Sequence, residues 1–304
     1  MLALEIEPWL VRVLACLFGA LWGSFFNVAI YRWPRDMSVV SPPSRCVGCE
    51  TPIPAYRNIP IVSWLLMRGR APCCGAKVTP RYAVVEGLSG VLCLAIAERF
   101  IVGAAADVLL IDAAINAGLL FAFAGGLLIA TFTDLEAGII PDEVSLPLAA
   151  LGLLTVSFRS LPGAHDAALG AGLGFLMIQV PFIWMYERFR GRRGMGEGDA
   201  KLQMMIGAFL GWRAVIFALL LGACQGVLAV GLMLLRRPAA PSEEPKPDQA
   251  EQGSLQAPHY EGDAPPEHLG HMKVKFGPFL AIAALEYLFF GEWLIEAYLG
   301  LLRP

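Results

Sequence analysis

The chain has 304 residues, of which 57% are hydrophobic and only 16% are charged, and its mean hydropathy is +0.60. This composition excludes an ordinary soluble enzyme and predicts a protein whose solvent is the lipid bilayer. The formal net charge of -3 is too small to indicate nucleic acid or another strongly charged partner.

Apolar runs predict an all-α, polytopic membrane protein, because a helix needs about 17 to 25 residues to cross a bilayer. The sixth and seventh runs are divided only by a turn at Gly211, Trp212 and Arg213, and the fourth and sixth are short for full crossings. We therefore predict about eight transmembrane helices, with seven as the alternative. They lie near residues 9–31, 83–103, 110–133, 143–158, 166–187, 200–212, 213–235 and 277–300.

The distribution of Arg and Lys predicts the orientation in the membrane. With the N-terminus outside, most basic residues fall in loops within 32–82, 188–201 and 236–275, and loops rich in Arg and Lys stay on the cytoplasmic side. The remaining basic residues fall on or near the other side: Arg12, Arg99, Arg159, Arg213 and Arg303. We therefore expect both termini to lie outside.

Two polar segments interrupt the membrane core. Residues 32–82 contain four cysteines, several prolines and a basic balance, and predict a small cytoplasmic subdomain held together by a metal. Residues 237–272 are rich in proline and glutamate and nearly lack large apolar residues, which is typical of a disordered linker. The predicted units are a first transmembrane helix at 1–31, the Cys-containing subdomain at 32–82, a membrane core at 83–236, the linker at 237–272 and a last transmembrane helix at 273–304.

Two aspartates stand where predicted helices meet the cytoplasm. Asp134 follows the third apolar run, and Asp199 follows the string GMGEG, whose glycines permit a sharp turn and close approach to another helix. Taken singly, each aspartate is explained by a solvated helix end or a cap, and a GxGD string also arises by chance. The two aspartates should, however, lie at one membrane depth on helices that can pack side by side. Two carboxyl groups in close proximity cannot both ionise easily, which is the arrangement that aspartyl proteases use.

The helix dipole predicts which carboxyl group holds the proton. Asp199 at a helix N-terminus has its anion favoured, whereas Asp134 at a helix C-terminus has its anion disfavoured. We therefore expect Asp134 to start as the acid and Asp199 as the base.

The chain resembles the bacterial type IV prepilin peptidases, which are GxGD membrane aspartyl proteases of type IV pilus and type II secretion systems. The blocks that carry the resemblance, in the family's order, are GSFFNVAIYRWPR, CVGC, NIPIVSWLLMRGR, RYAVVE, TDLEAGIIPD, GMGEGDAKL and FGPFLAIAA. RYAVVE lacks the proline usual after the tyrosine, and Lys275 stands where the family often has proline.

The resemblance implies that Asp134 and Asp199 are the catalytic residues, whereas Asp142, Glu136 and Glu197 are not positions the family uses. It implies removal of a basic leader from type IV prepilins or pseudopilins, and methylation of the new N-terminal residue with S-adenosylmethionine. It also implies a multi-pass protein of the bacterial inner membrane, with its active site facing the cytoplasm. No glycine-rich cofactor loop of the usual kind is evident, so the methyl transfer rests on the resemblance alone.

The same family carries two CxxC pairs in its first cytoplasmic loop, a spacing that suits tetrahedral zinc. Cys46 and Cys49 form one pair, but Cys73 and Cys74 are adjacent, and Ala71 stands where the family has its other cysteine. A structural zinc site formed by all four cysteines, a three-ligand site and reduced thiols without metal remain open.

Two other classes of function are open. Acids within a membrane also relay protons or ions in transporters and channels, but such a protein needs neither the cysteine loop nor GxGD, and no inverted repeat of broken helices is evident. A non-catalytic scaffold for pilus or secretion assembly would leave both aspartates replaceable.

Overall fold

A computed structural model describes residues 7–46, 48–54, 59–105, 107–159, 162–191, 194–235 and 275–302. The predicted linker at 237–272 lies outside these residues. Within them the regular structure is helical, and it includes two isolated β-bridges and short 3-10 and π segments at helix ends. The helices are α1 (Pro8–Arg32), α2 (Val62–Leu66), α3 (Arg81–Ala97), α4 (Leu110–Ala137), α5 (Asp142–Leu154), α6 (Ala164–Ile178), α7 (Tyr186–Arg190), α8 (Glu197–Leu210), α9 (Trp212–Leu235) and α10 (Gly277–Leu302).

Among the described residues, four helical stretches are long and apolar enough to cross a membrane: Pro8–Arg35, Leu110–Ala137, Ala164–Arg190 and Trp212–Leu235. The all-α, polytopic class is therefore confirmed. Eight as a number of crossings stays a prediction, because α5 has 13 residues and α8 has 14. At about 1.5 Å per residue, neither is long enough alone for a hydrocarbon core about 30 Å thick.

Glycines set the helix ends that matter for the two aspartates. Gly211 adopts φ +83° between α8 and α9, so the sixth and seventh predicted helices are separate. α4 continues past its predicted end and stops where Gly138 adopts φ +67°, while α8 begins at Glu197. Asp134 therefore lies within the last turn of α4, and Asp199 is the third residue of α8 rather than its cap.

The helices that carry the aspartates are fixed by a buried core. The rings of Phe123 on α4 and Phe209 on α8 stack with centroids 4.7 Å apart. α6 approaches α8 so closely that a Cβ on Gly207 would lie 2.0 Å from the carbonyl oxygen of Gly170. Close backbone contact through small residues is a common mode of helix packing in membranes. α8 is therefore held on two sides.

Arg159 caps the C-terminal end of α8, the end away from Asp199. It is only 6% exposed, and its guanidinium donates to the carbonyl oxygens of Ala208, Phe209 and Gly152, the Ala208 bond being 3.1 Å long. Because the last carbonyls of a helix have no partner within the helix, Arg159 caps α8 and joins it to α5. The sequence predicted only that this residue lies near the outer face.

Candidate active site

Asp134 is a buried carboxyl group, only 7% exposed. Its Oδ2 accepts a hydrogen bond of 3.0 Å from the backbone N–H of Gly277, the first residue of α10. A Cβ on Gly277 would lie 2.8 Å from that oxygen, so a larger residue would displace the carboxyl group or the helix. The N-terminus of α10 thus contacts Asp134, and a helix N-terminus favours negative charge.

Lys275 adds a positive charge beside Asp134. Its Nζ donates a hydrogen bond of 2.7 Å to the carbonyl oxygen of Leu135 in the last turn of α4, and its charge acts on the Asp134 carboxyl group. The departure from the family pattern at Lys275 therefore lies at the candidate site and ties α10 to α4.

Asp199 lies half-buried in the first turn of α8, and its carboxyl group accepts a backbone hydrogen bond from Gly196. A Cβ on Gly198 would lie 2.8 Å from the Ile140 Cβ, and one on Gly277 would lie 3.0 Å from the Ile140 Cδ1. Ile140 therefore lies between Gly198, which precedes Asp199, and Gly277, which donates to Asp134. The close approach expected from the glycine string occurs at Gly198.

The two carboxyl groups interact electrostatically. Asp199 lies outside the candidate membrane spans, and burial, followed by the negative charge of Asp134, raises its pKa to about 7. This arrangement favours a proton on Asp199 and a negative charge on Asp134, which is the reverse of the sequence-based expectation. The reason is that Gly277 and Lys275 reach Asp134 from α10, a contact that the position of Asp134 in α4 does not reveal.

Other acidic residues in these blocks have basic partners. Asp142 is paired with Lys201 at 2.6 Å, and Glu136 is paired with Arg81 at the start of α3. The Arg81–Glu136 pair joins the end of the cysteine loop to the last turn of α4. The loop and the two aspartates therefore lie at the same end of the molecule.

The four loop cysteines meet in one cluster as free thiols. Each pair lies in a turn closed by a bridge, Arg45 with Pro52 and Arg70 with Lys77. The Sγ atoms of Cys46 and Cys74 are 3.6 Å apart, those of Cys49 and Cys73 are 3.3 Å apart, and all four lie within 4.8 Å. Thiolates bound to zinc at about 2.3 Å are separated by about 3.8 Å. The donor set, including adjacent Cys73 and Cys74, thus fits one tetrahedral metal ion.

Comparisons with known proteins identify the family of the chain. A model of the bacterial Peptidase A24 N-terminal domain matches residues 17–100, and one of the Type IV leader peptidase family matches residues 121–231. Proteins named prepilin leader peptidase/N-methyltransferase are similar along nearly the whole chain. The Aeromonas hydrophila protein is 33% identical over 96% of this chain and 95% of its own length.

The Stutzerimonas stutzeri protein of that name is 30% identical over 99% of this chain and 98% of its own length. The one from Myxococcus xanthus is 32% identical, with coverage of 94% and 92%. No solved structure matches the chain. With relatives of this identity along almost all of its length, the chain belongs to the type IV leader peptidase family.

Proposed function

We propose that this protein is a membrane aspartyl endopeptidase that removes the leader from type IV prepilins or type II secretion pseudopilins and N-methylates the new N-terminal residue with S-adenosylmethionine. Membership of the family supports both activities, because the relatives that align along the chain are named for both. The observation that carries the proteolytic half is the pair of interacting carboxyl groups of Asp134, which is buried, and Asp199, which is half-buried, on α4 and α8 with α10 against Asp134.

The charges at the pair assign the roles of the two carboxyl groups. Asp134, the anion, takes a proton from a water molecule, whose oxygen attacks the scissile carbonyl carbon. Asp199 donates its proton to the carbonyl oxygen, which would otherwise become an oxyanion. When the C–N bond breaks, the proton held by Asp134 passes to the leaving amine, and one hydroxyl of the gem-diol returns its proton to Asp199 as the new carboxyl group forms. Each cycle therefore needs one carboxylate and one carboxylic acid, so the pair must start with one proton.

The site faces the cytoplasm of a bacterial inner membrane in this proposal. The predicted loops within 32–82, 188–201 and 236–275 contain most of the basic residues, and such loops remain inside. A prepilin, with a basic leader inside and an apolar helix in the membrane, presents its cleavage point at that depth. The division into units 1–31, 32–82, 83–236, 237–272 and 273–304 follows from this topology and remains part of the proposal.

The cysteine cluster holds a structural zinc ion in this proposal, with Cys46, Cys49, Cys73 and Cys74 as ligands. The short Sγ separations within the cluster support it. A zinc ion with four protein ligands has no open position for a substrate, so its contribution is to fix the fold of residues 32–82.

Cleavage of a purified prepilin by the purified protein tests the proteolytic half. Asp134→Asn and Asp199→Asn should each lower the rate by about a hundredfold or more, the usual contribution of a general acid or base. Asp166→Asn, at an exposed position near the start of α6, is the matched control and should cleave normally. A channel or scaffold would not cleave, and normal cleavage by either dyad variant would refute the assignment.

A further inference from the structure

A cavity of about 470 Å³ lies between α1, α3 and the cysteine loop, away from the two aspartates. Pockets for small molecules commonly have volumes of about 300 to 1,000 Å³ and place a few polar groups in a largely apolar wall. This one has aromatic walls from Tyr31, Trp64 and Tyr82. The proteolytic mechanism uses none of these residues.

Three buried polar side chains line the cavity. Glu86 on α3 is 7% exposed, Arg32 at the end of α1 is 9% exposed, and Asn27 on α1 is 2% exposed. Burial of charge is costly unless partners compensate it, so a carboxylate and a guanidinium together in one cavity wall need an explanation.

Their hydrogen bonds leave capacity for a ligand. Asn27 donates through Nδ2 to the carbonyl oxygens of Gly23 and Tyr82, but its Oδ1 is buried and accepts no hydrogen bond within the described residues. Arg32 donates to the carbonyl oxygens of Ser38 and Pro42, and no carboxylate pairs with it in the described part of the chain.

Glu86 has no cationic partner among the described residues either. Its Oε2 accepts a hydrogen bond of 2.6 Å from the backbone N–H of Ile61, and Ser24 also bonds its carboxyl group. The cavity therefore offers a negative group, a positive group, a free amide acceptor and aromatic faces.

We propose, on the basis of the methyltransferase half of the proposed function, that this cavity binds S-adenosylmethionine. The ligand carries a positive sulfonium and ammonium, a carboxylate, hydroxyl groups and an adenine ring. Glu86 faces the positive charges, Arg32 binds the carboxylate, and the aromatic walls stack on the adenine. The Asn27 Oδ1 accepts from an adenine amino group or a ribose hydroxyl.

An ion pair links the chain segments that carry the cavity and the cleavage site. Tyr82 lines the cavity, and its neighbour Arg81 is paired with Glu136, two residues after Asp134. In the transfer, the neutral amine freed by cleavage forms an N–C bond to the methyl group. The C–S bond breaks with its electron pair left on sulfur, and the new methylammonium releases one proton.

Binding of tritium-labelled S-adenosylmethionine to the full-length protein in detergent tests the proposal without relying on catalysis. Glu86→Gln should raise the dissociation constant by about tenfold or more, because it removes the charge opposite the sulfonium. Val28→Trp should also weaken binding strongly, since Val28 lines the cavity and indole would fill it. The matched control is Glu143→Gln, an exposed carboxylate at the start of α5, which should bind as the wild type does.

Thermal unfolding checks the fold of each variant, and if Glu86→Gln does not fold, Val28→Trp decides the outcome. Binding of wild-type strength by a folded Val28→Trp or Glu86→Gln protein would overturn the site. Asp134→Asn should lose cleavage and still bind S-adenosylmethionine. Wild-type protein that cleaves a prepilin but binds no S-adenosylmethionine would refute this site and leave the proteolytic proposal standing. Wild-type protein that binds S-adenosylmethionine but does not cleave a prepilin would refute the proteolytic proposal and leave this site standing.

Discussion

The proton on Asp199 sets how cleavage depends on pH. Burial and the Asp134 charge raise the Asp199 pKa to about 7, and the mechanism needs Asp199 protonated. The rate should therefore be sustained below this pKa and fall as the pH rises through it. Measurement of kcat/KM for prepilin cleavage from about pH 5.5 to about 9 reports the ionisations of the free enzyme. The two carboxyl groups titrate as a unit, so the fall in rate at high pH reports an ionisation of the pair rather than of one residue.

A rate that increases from about pH 6.5 to about 8.5 would contradict this assignment and restore Asp199 as the base. The exposed control Asp166→Asn should show the same fall in rate at high pH as the wild type. Loss of a carboxyl group elsewhere in the protein would then not account for a changed pH dependence.

Gly277 is the second residue whose identity the site requires. Gly277→Val would place its Cβ 2.8 Å from the Asp134 Oδ2 and 3.0 Å from the Ile140 Cδ1. The carboxyl group should move out of line with Asp199, and a misplacement of about 1 Å costs about a hundredfold in rate. Gly231→Val on α9, where a Cβ meets nothing within 4 Å, should cleave at the wild-type rate. Similar rates for the two variants would show that α10 does not position Asp134.

At the scale of helices, loss of the Arg159 cap on α8 should lower the stability of the protein without altering the catalytic groups. Arg159→Met should leave the carbonyl oxygens of Ala208, Phe209 and Gly152 without their donor. An unpaired buried polar group costs about 1 to 3 kcal/mol, so the apparent unfolding temperature in detergent should fall. Arg213→Met, at an exposed position on α9, should change it little. Equal unfolding temperatures for the two variants would contradict the capping role.

Helix identity was largely predictable from the sequence, whereas helix ends and contacts between helices were not. Apolar runs indicated where α4 and α8 lie, because length and hydropathy are local properties. α4 nevertheless extends through Leu135, Glu136 and Ala137 until Gly138, since these residues suit a helix although they are not a continuous apolar run.

The aspartate pair could be predicted only in outline. Local sequence placed Asp134 and Asp199 near helix ends on one side, but the Gly277 contact with Asp134 spans 143 positions and has no local signature. The block FGPFLAIAA marked Gly277 only through family resemblance. Asn27 likewise reads as one polar residue in an apolar helix, and nothing in the pattern of α1 shows a cavity beside it.

At the scale of the whole molecule, the cysteine cluster and the aspartates are separate units that can be tested separately. Purified protein should contain about one zinc per chain, the number one tetrahedral site holds. Cys74→Ser should lower both the zinc content and the apparent unfolding temperature, since a structural metal stabilises the fold that binds it. Cys224→Ser removes an exposed thiol on α9 and should change neither. Folded wild-type protein with almost no zinc would disprove the metal site.

The donor to Asp134 comes from α10, which is synthesised after the two helices that carry the aspartates. Until α10 docks, the carboxyl group lacks both the Gly277 N–H and the nearby Lys275 charge. A partly synthesised chain therefore holds both aspartates but no competent base. We expect proteolytic activity to appear only after α10 has inserted, so synthesis of the chain itself delays activation of the protease. Chains ending before residue 275 should be inactive, and separate expression of 275–304 should restore activity if the fragment inserts beside α4.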